Sequence, residues 1–115
     1  MPAMCDHTGR EVGRGAGWPR WVLYAGGKAN LAQLEAARYY DCANFARSIR
    51  AKALVSVNLI DTVCIPASVY SAFNALSSSK RMLVCPRQGH TVGSATPEGQ
   101  EFISEELGLS RAAPR

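Results

Sequence analysis

The stretch Ala53-Leu54-Val55-Ser56-Val57-Asn58-Leu59-Ile60-Asp61-Thr62 decides the fold. Residues 53–60 form a nearly continuous apolar run rich in β-branched side chains. Such a run predicts a strand buried on both faces, as in a parallel sheet covered by helices. Asp61-Thr62 ends it, and Pro66 stands where a helix would open, at the position that tolerates a missing N–H. Val69, Phe73 and Leu76 then recur at helical spacing until Ser77-Ser78-Ser79 and Lys80 break the pattern. Arg81 to Cys85 reads as a second short strand, stopped by Pro86, and Gln88-Gly89-His90 as a loop. Thr96 and Pro97 look like an N-cap and first helical residue. The last helix should run to about Leu107, turning Phe102, Ile103 and Leu107 inward, with Gly108 ending it. Strand, helix, strand, helix is the alternation of a parallel sheet with crossover helices, so the fold class is α/β.

Working back toward the N-terminus, residues 28–38 favour helix, with Leu31, Leu34 and Ala37 or Arg38 near one face. Asp41 is placed to cap a short helix over Cys42 to Ile49 that would bury Phe45 and Ile49, with Tyr39 and Tyr40 as an apolar anchor before it. Residues 8–20 are rich in glycine, but without a strand before and a helix after they do not make a phosphate-cradling loop. The tail from Ser110 to Arg115 is expected to fray.

Bulk properties exclude several classes. The 115 residues suit one small domain, and 47% hydrophobic against 19% charged residues describes a chain that can bury a core. The net charge of +4 is spread along the sequence instead of forming a basic stripe with interleaved aromatics, so no nucleic-acid partner is expected. No run approaches the roughly 18 apolar residues of a membrane span, and the first residues do not resemble a signal peptide, which leaves the compartment undetermined. Cys5, Cys42, Cys64 and Cys85 include no Cys-x-x-Cys pair. Their spacing suits neither a zinc module nor a disulfide framework, and Cys42 and Cys85 read as small core residues. No metal is expected.

Chemistry enters at two loops. In parallel sheets functional groups collect beyond the carboxyl ends of the strands. Asp61 follows the first strand and His90 follows the second. A carboxylate and then a histidine one strand-helix-strand unit later is the order of the last two triad members in α/β-hydrolases. There the imidazole takes a proton from a serine and returns it to the leaving alcohol, while the carboxylate fixes its tautomer. Gly89 beside His90 would relieve crowding in that loop. The same two residues also fit a turn-capping aspartate and a surface histidine.

A resemblance favours the triad reading. Tyr40 to Ala46, Val55 to Cys64, Pro66 to Leu76 with Tyr70 and Asn74, and Gly89-His90 resemble the C-terminal part of the acetyl xylan esterase and cephalosporin C deacetylase family of α/β-hydrolases. Pro2 to His7 and Gly17-Trp18-Pro19 extend the likeness upstream. It implies the C-terminal portion of an α/β-hydrolase sheet, with Asp61 on the triad carboxylate and His90 on its base. It also implies a serine carboxylic-ester hydrolase that removes acetyl groups from acetylated sugars without a cofactor, in enzymes that often assemble into homo-oligomers. Other small esters, or the substrates of a prolyl-oligopeptidase-like peptidase or a general carboxylesterase, stay open, because the last two triad members do not select the acyl group.

The sequence departs from that family at Ile65, where proline is common, and at Asn58, where glycine is usual. No Gly-x-Ser-x-Gly occurs in the 115 residues. Cys64 lies on the acid's loop and not on a strand-to-helix elbow, so it does not replace the serine. The expectation is therefore a single partial domain over residues 1–115, with Met1 inside a longer reading frame, the nucleophile half missing and a hydrophobic sheet edge left open. Such a chain should be inactive and sticky alone. A binding or assembly module descended from an esterase is the contrasting, non-enzymatic possibility. Trp18, Tyr39 and Tyr70 fit either packing or a substrate pocket.

Overall fold

The computed structural model describes residues 31–91 and 96–109. Helices α1 (Leu31–Arg38) and α2 (Cys42–Ala46) precede strand β1 (Ala53–Asn58). Helix α3 (Pro66–Ala75), strand β2 (Lys80–Cys85) and helix α4 (Pro97–Glu106) follow. The two strands pair in parallel, from Ala53 opposite Lys80 to Asn58 opposite Cys85. Parallel neighbours cannot be joined by a tight turn, and α3 provides the crossover. The fold class is thus the α/β arrangement that the strand-helix alternation predicts. The register matters most for function: both strands stop at the same level, so the loops that follow them leave from one edge of the sheet.

The core lies between β1 and the helices. Val55 and Val57 of β1 meet Ala46, Cys64, Val69 and Leu76, with Ile49, Phe73 and Met82 half-buried against them. Val69, Phe73 and Leu76 are the face of α3 that the spacing picks out. Burying an apolar side chain of this size contributes about 1.5–3 kcal/mol, which makes this cluster the main source of cohesion.

Helix ends follow their local chemistry. Pro66 sits in the first turn of α3. At the other end the Lys80 ammonium donates to the carbonyls of Phe73 (2.9 Å), Asn74 (3.3 Å) and Leu76 (2.8 Å). It also rests 4.8 Å from the centre of the Phe73 ring. A cation on the last carbonyls satisfies orphan acceptors and complements the helix dipole. In α4 the Thr96 hydroxyl accepts from Gly99 N–H at 3.1 Å. Gly108, with φ of 63°, closes that helix: its N–H donates to Glu105 O at 3.2 Å and Leu109 N–H to Ser104 O at 2.8 Å. This pair of bonds is the Schellman arrangement, which needs a left-handed residue at that point. Lys52 and Glu106, 2.9 Å apart, tie α4 to the start of β1.

Several expectations are corrected. The first strand ends at Asn58, not Ile60, because Asp61 N–H turns back to Asn58 O at 3.2 Å; Leu59 and Ile60 are carried out to the surface. Asp41 does cap α2, accepting from Ala43 N–H at 2.9 Å, but the helix stops at Ala46. In so short a helix the four-residue pair facing the core is Cys42 and Ala46, which leaves Phe45 54% exposed. Tyr39 and Tyr40 are exposed and anchor nothing buried. On α4, Phe102 is half-buried below the Arg81 guanidinium, whereas Ile103 and Leu107 face outward. A Cβ at Gly89 would meet nothing within 4 Å, so crowding does not account for that glycine.

Cys42, Cys64 and Cys85 are buried and reduced. Among the described residues no helix is long and apolar enough to cross a membrane. Cys5, Trp18, the glycine-rich residues 8–20, the first residues of the helix expected from Lys28 and the tail from Ser110 lie outside the described residues.

Candidate active site

Asp61 is placed by a turn of its own making. The chain leaves β1 through the bond from Asp61 N–H to Asn58 O, and the Asp61 side chain folds forward along the loop. Its Oδ1 accepts from Val63 N–H at 2.7 Å and from Cys64 N–H at 2.9 Å. An aspartate can close such a ring with its own backbone, and here doing so takes up two donors ahead of α3. The carboxylate is buried, 5% exposed.

His90 reaches the same point from the second strand. Beyond β2 the chain turns with Gln88 N–H donating to Cys85 O at 3.4 Å. The two loops are laced together by Leu59 N–H to Cys85 O at 3.1 Å and Ile60 N–H to Gln88 O at 3.3 Å. As a result His90 Nδ1 lies 3.0 Å from Asp61 Oδ2, while the imidazole is 57% exposed. The two residues singled out in the sequence are brought together, one buried and held by backbone, the other open to solvent. Tyr39 and Tyr70 are at the surface of the described region.

The arrangement has a definite proton logic. A carboxylate in its ionised form only accepts, and opposite it the bridging hydrogen is carried by Nδ1 of the imidazole. In the neutral ring that arrangement leaves the lone pair on Nε2.

Cysteine spacing alone suggests no metal module around Cys64. In space, the Cys64 thiol, the Asp61 carboxylate and the His90 imidazole offer ligand atoms that all lie within 4.8 Å of one another. The signal was the three-residue step from Asp61 to Cys64, which a search for cysteine pairs does not see. Both carboxylate oxygens are already engaged, however, Oδ1 by two N–H groups and Oδ2 by His90. The described contacts of the carboxylate are thus to backbone N–H groups and to the imidazole.

The sequence reading missed the part played by Asn58, which it treated only as a departure near the acid. Asn58 is buried at the last position of β1. Its Nδ2 donates to Gly89 O at 2.7 Å, Thr91 O at 3.1 Å and Thr91 Oγ1 at 3.2 Å. A polar residue interrupting an apolar run was the visible signal.

Residues 27–104 match the family model described as acetyl xylan esterase (AXE1). The chain belongs to the acetyl xylan esterase family. Acetyl esterase Axe7A of Xylanibacter ruminicola is 29% identical over 99 residues, covering 83% of this chain and 21% of its own length. The crystal structure of acetyl xylan esterase 1 from Thermoanaerobacterium sp. JW/SL YS485 matches with a TM-score of 0.59 and 31% identity over 68% of this chain and 24% of that one. The acetyl xylan esterase from Paenibacillus sp. R4 matches with a TM-score of 0.68 over 90% of this chain and 34% of that one; at 24% identity it bears on the fold alone. This member of the acetyl xylan esterase family therefore spans about a fifth of the curated relative and a quarter to a third of the solved structures.

Proposed function

We propose that Asp61 and His90 are the acid and the base of a serine esterase that removes acetyl groups from acetylated sugars. The observation that carries this reading is the 3.0 Å approach of His90 Nδ1 to a buried carboxylate whose other oxygen is held by two backbone N–H groups. Family membership supports the ester chemistry, and the names of the relatives support acetyl as the acyl group.

In this mechanism His90 Nε2 takes the proton of a serine hydroxyl as its oxygen attacks the acetyl carbonyl. Asp61 stabilises the imidazolium that results. The tetrahedral intermediate collapses, the C–O bond to the sugar breaks, and Nε2–H delivers the proton to the departing sugar oxygen. Water then repeats the sequence on the acetyl-serine, with His90 taking the water's proton and returning it to the serine; acetate leaves. No cofactor takes part. The serine and the donors that stabilise the oxyanion come from residues outside these 115, which contain no Gly-x-Ser-x-Gly.

The same reading makes residues 1–115 one portion of a larger α/β-hydrolase domain. A parallel sheet needs cover on both faces. Here Leu59, Ile60 and Val63 around the acid loop and Val84 on β2 are exposed, which suits surfaces completed by more of the same domain. The test is to translate the frame upstream of codon 1 and assay the continuous polypeptide on acetylated sugars. An upstream Gly-x-Ser-x-Gly and acetate release that His90→Ala abolishes would support the proposal. A stop codon directly upstream, or release indifferent to His90, would contradict it.

A further inference from the structure

We infer that Asn58 is a positioning residue for His90, a clamp that sets the direction of the imidazole from the end of β1. The side-chain amide bridges the residues on either side of the histidine. Nδ2 reaches the carbonyl of Gly89 at 2.7 Å, before it, and the carbonyl and hydroxyl of Thr91 at 3.1 and 3.2 Å, after it. Holding both flanking residues fixes the backbone torsions of His90, and with them the cone of directions its ring can take. Thr91 Oγ1 passes the restraint on to Gln88 Oε1 at 3.1 Å, so the loop from 88 to 91 is knitted about one buried amide.

Asn58 and Asp61 also share an origin. Asn58 O receives Asp61 N–H, so the same residue that turns the acid's loop also grips the base's loop. Both partners of the 3.0 Å pair are thereby referenced to a single strand end, and motion of that end carries them together. His90 is over half exposed, and a surface loop is more mobile than the strands it connects unless it is held.

The chemistry of the clamp is specific to an amide. Three oxygens face Nδ2, two of them carbonyls, so an aspartate of the same shape would set a carboxylate against two groups that can only accept and leave the Thr91 hydroxyl as its one possible donor. Nor can the amide turn over, because that would bring Oδ1 against the same carbonyls. In the orientation present, Oδ1 is buried and has no hydrogen-bond partner among the described residues.

The inference rests on the acid–base reading for its consequence in turnover, but not for its structural content. The test is proton NMR of the continuous polypeptide labelled in histidine, following the low-field Nδ1–H resonance of His90, identified as the one lost in His90→Gln. In Asn58→Ala and the isosteric Asn58→Asp the resonance should broaden or vanish, with exchange against water at least about tenfold faster. The amides of Val55 and Val57 should keep their protection. Thr91→Val, which leaves the strand untouched, should move the exchange rate the same way by less. An unchanged resonance in folded Asn58 variants, or in Thr91→Val where those variants fail to fold, overturns the inference. In the continuous esterase, Asn58→Asp should lower kcat at least about tenfold with KM little changed. If His90→Ala leaves hydrolysis intact while the Asn58 variants release the Nδ1 proton, the clamp stands and the esterase reading falls. If His90→Ala abolishes hydrolysis and the Asn58 variants change nothing, the clamp falls alone.

Discussion

Asp61 Oδ2 and His90 Nδ1 stand 3.0 Å apart although 29 residues separate them in sequence. The parallel register, ending at Asn58 opposite Cys85, accounts for this, because both loops start from one level of the sheet. Asp61 is held by Val63 and Cys64 N–H through Oδ1, which leaves Oδ2 to face the ring.

Asp61→Asn keeps the shape of this pair and changes its proton logic. An amide nitrogen facing His90 would favour the tautomer with the proton on Nε2, the wrong one for a base. If the proposed esterase reading holds, kcat of the continuous polypeptide should fall by about 10⁴-fold with KM little affected. Steady-state kinetics on an acetyl ester measures this. A drop of less than tenfold would mean that Asp61 does not orient the histidine.

Cys64 is close to the pair, and its replacement separates packing from chemistry. As a member of the core cluster it contributes burial, so Cys64→Ala should cost about 1 kcal/mol in urea unfolding. Turnover in the continuous enzyme should stay within a few-fold of wild type. Loss of activity on the scale of Asp61→Asn would instead give the thiol a part in the reaction.

The strands, the crossover helix and both members of the pair were legible in the sequence, each for a local reason. Val55 and Val57 lie in an apolar run long enough to announce a buried strand, and Pro66 and Thr96-Pro97 mark helix starts by chemistry that needs no tertiary context. What was not legible depends on contacts between distant segments. Nothing near Phe45 says that Cys42 and Ala46, rather than Phe45, will face the core. Ile60 leaves the strand because of a turn that Asp61 makes with Asn58. Asn58 looked like an interruption of an apolar run, and its role appears only when residues 89–91 arrive beside it. The gathering of Cys64 with Asp61 and His90 is likewise a property of the two loops together.

Lys80 tests the account of the crossover helix. Its ammonium caps three carbonyls at the end of α3 and lies over Phe73. Lys80→Met keeps most of the stem and removes the charge, and should lower stability by about 0.5–1 kcal/mol. Chemical denaturation reads the change. The proposed ester hydrolysis should be unaffected, because Lys80 stands at the opposite end of β2 from the histidine loop.

Gly108 tests the end of the last helix. At φ of 63° a side chain is disfavoured, although space is open around it. Gly108→Ala should therefore cost about 1 kcal/mol through the backbone alone. An equally stable alanine variant would mean that α4 can end another way.

The most direct test of the central claim is acetyl-ester hydrolysis by a chimaera. In it, residues 27–104 replace the matching segment of the Thermoanaerobacterium acetyl xylan esterase, which supplies the rest of the domain. The account predicts an active chimaera whose rate falls to background in His90→Ala and by about 10⁴-fold in Asp61→Asn. A folded chimaera that hydrolyses the ester equally well with and without His90, or not at all with both residues intact, would contradict it.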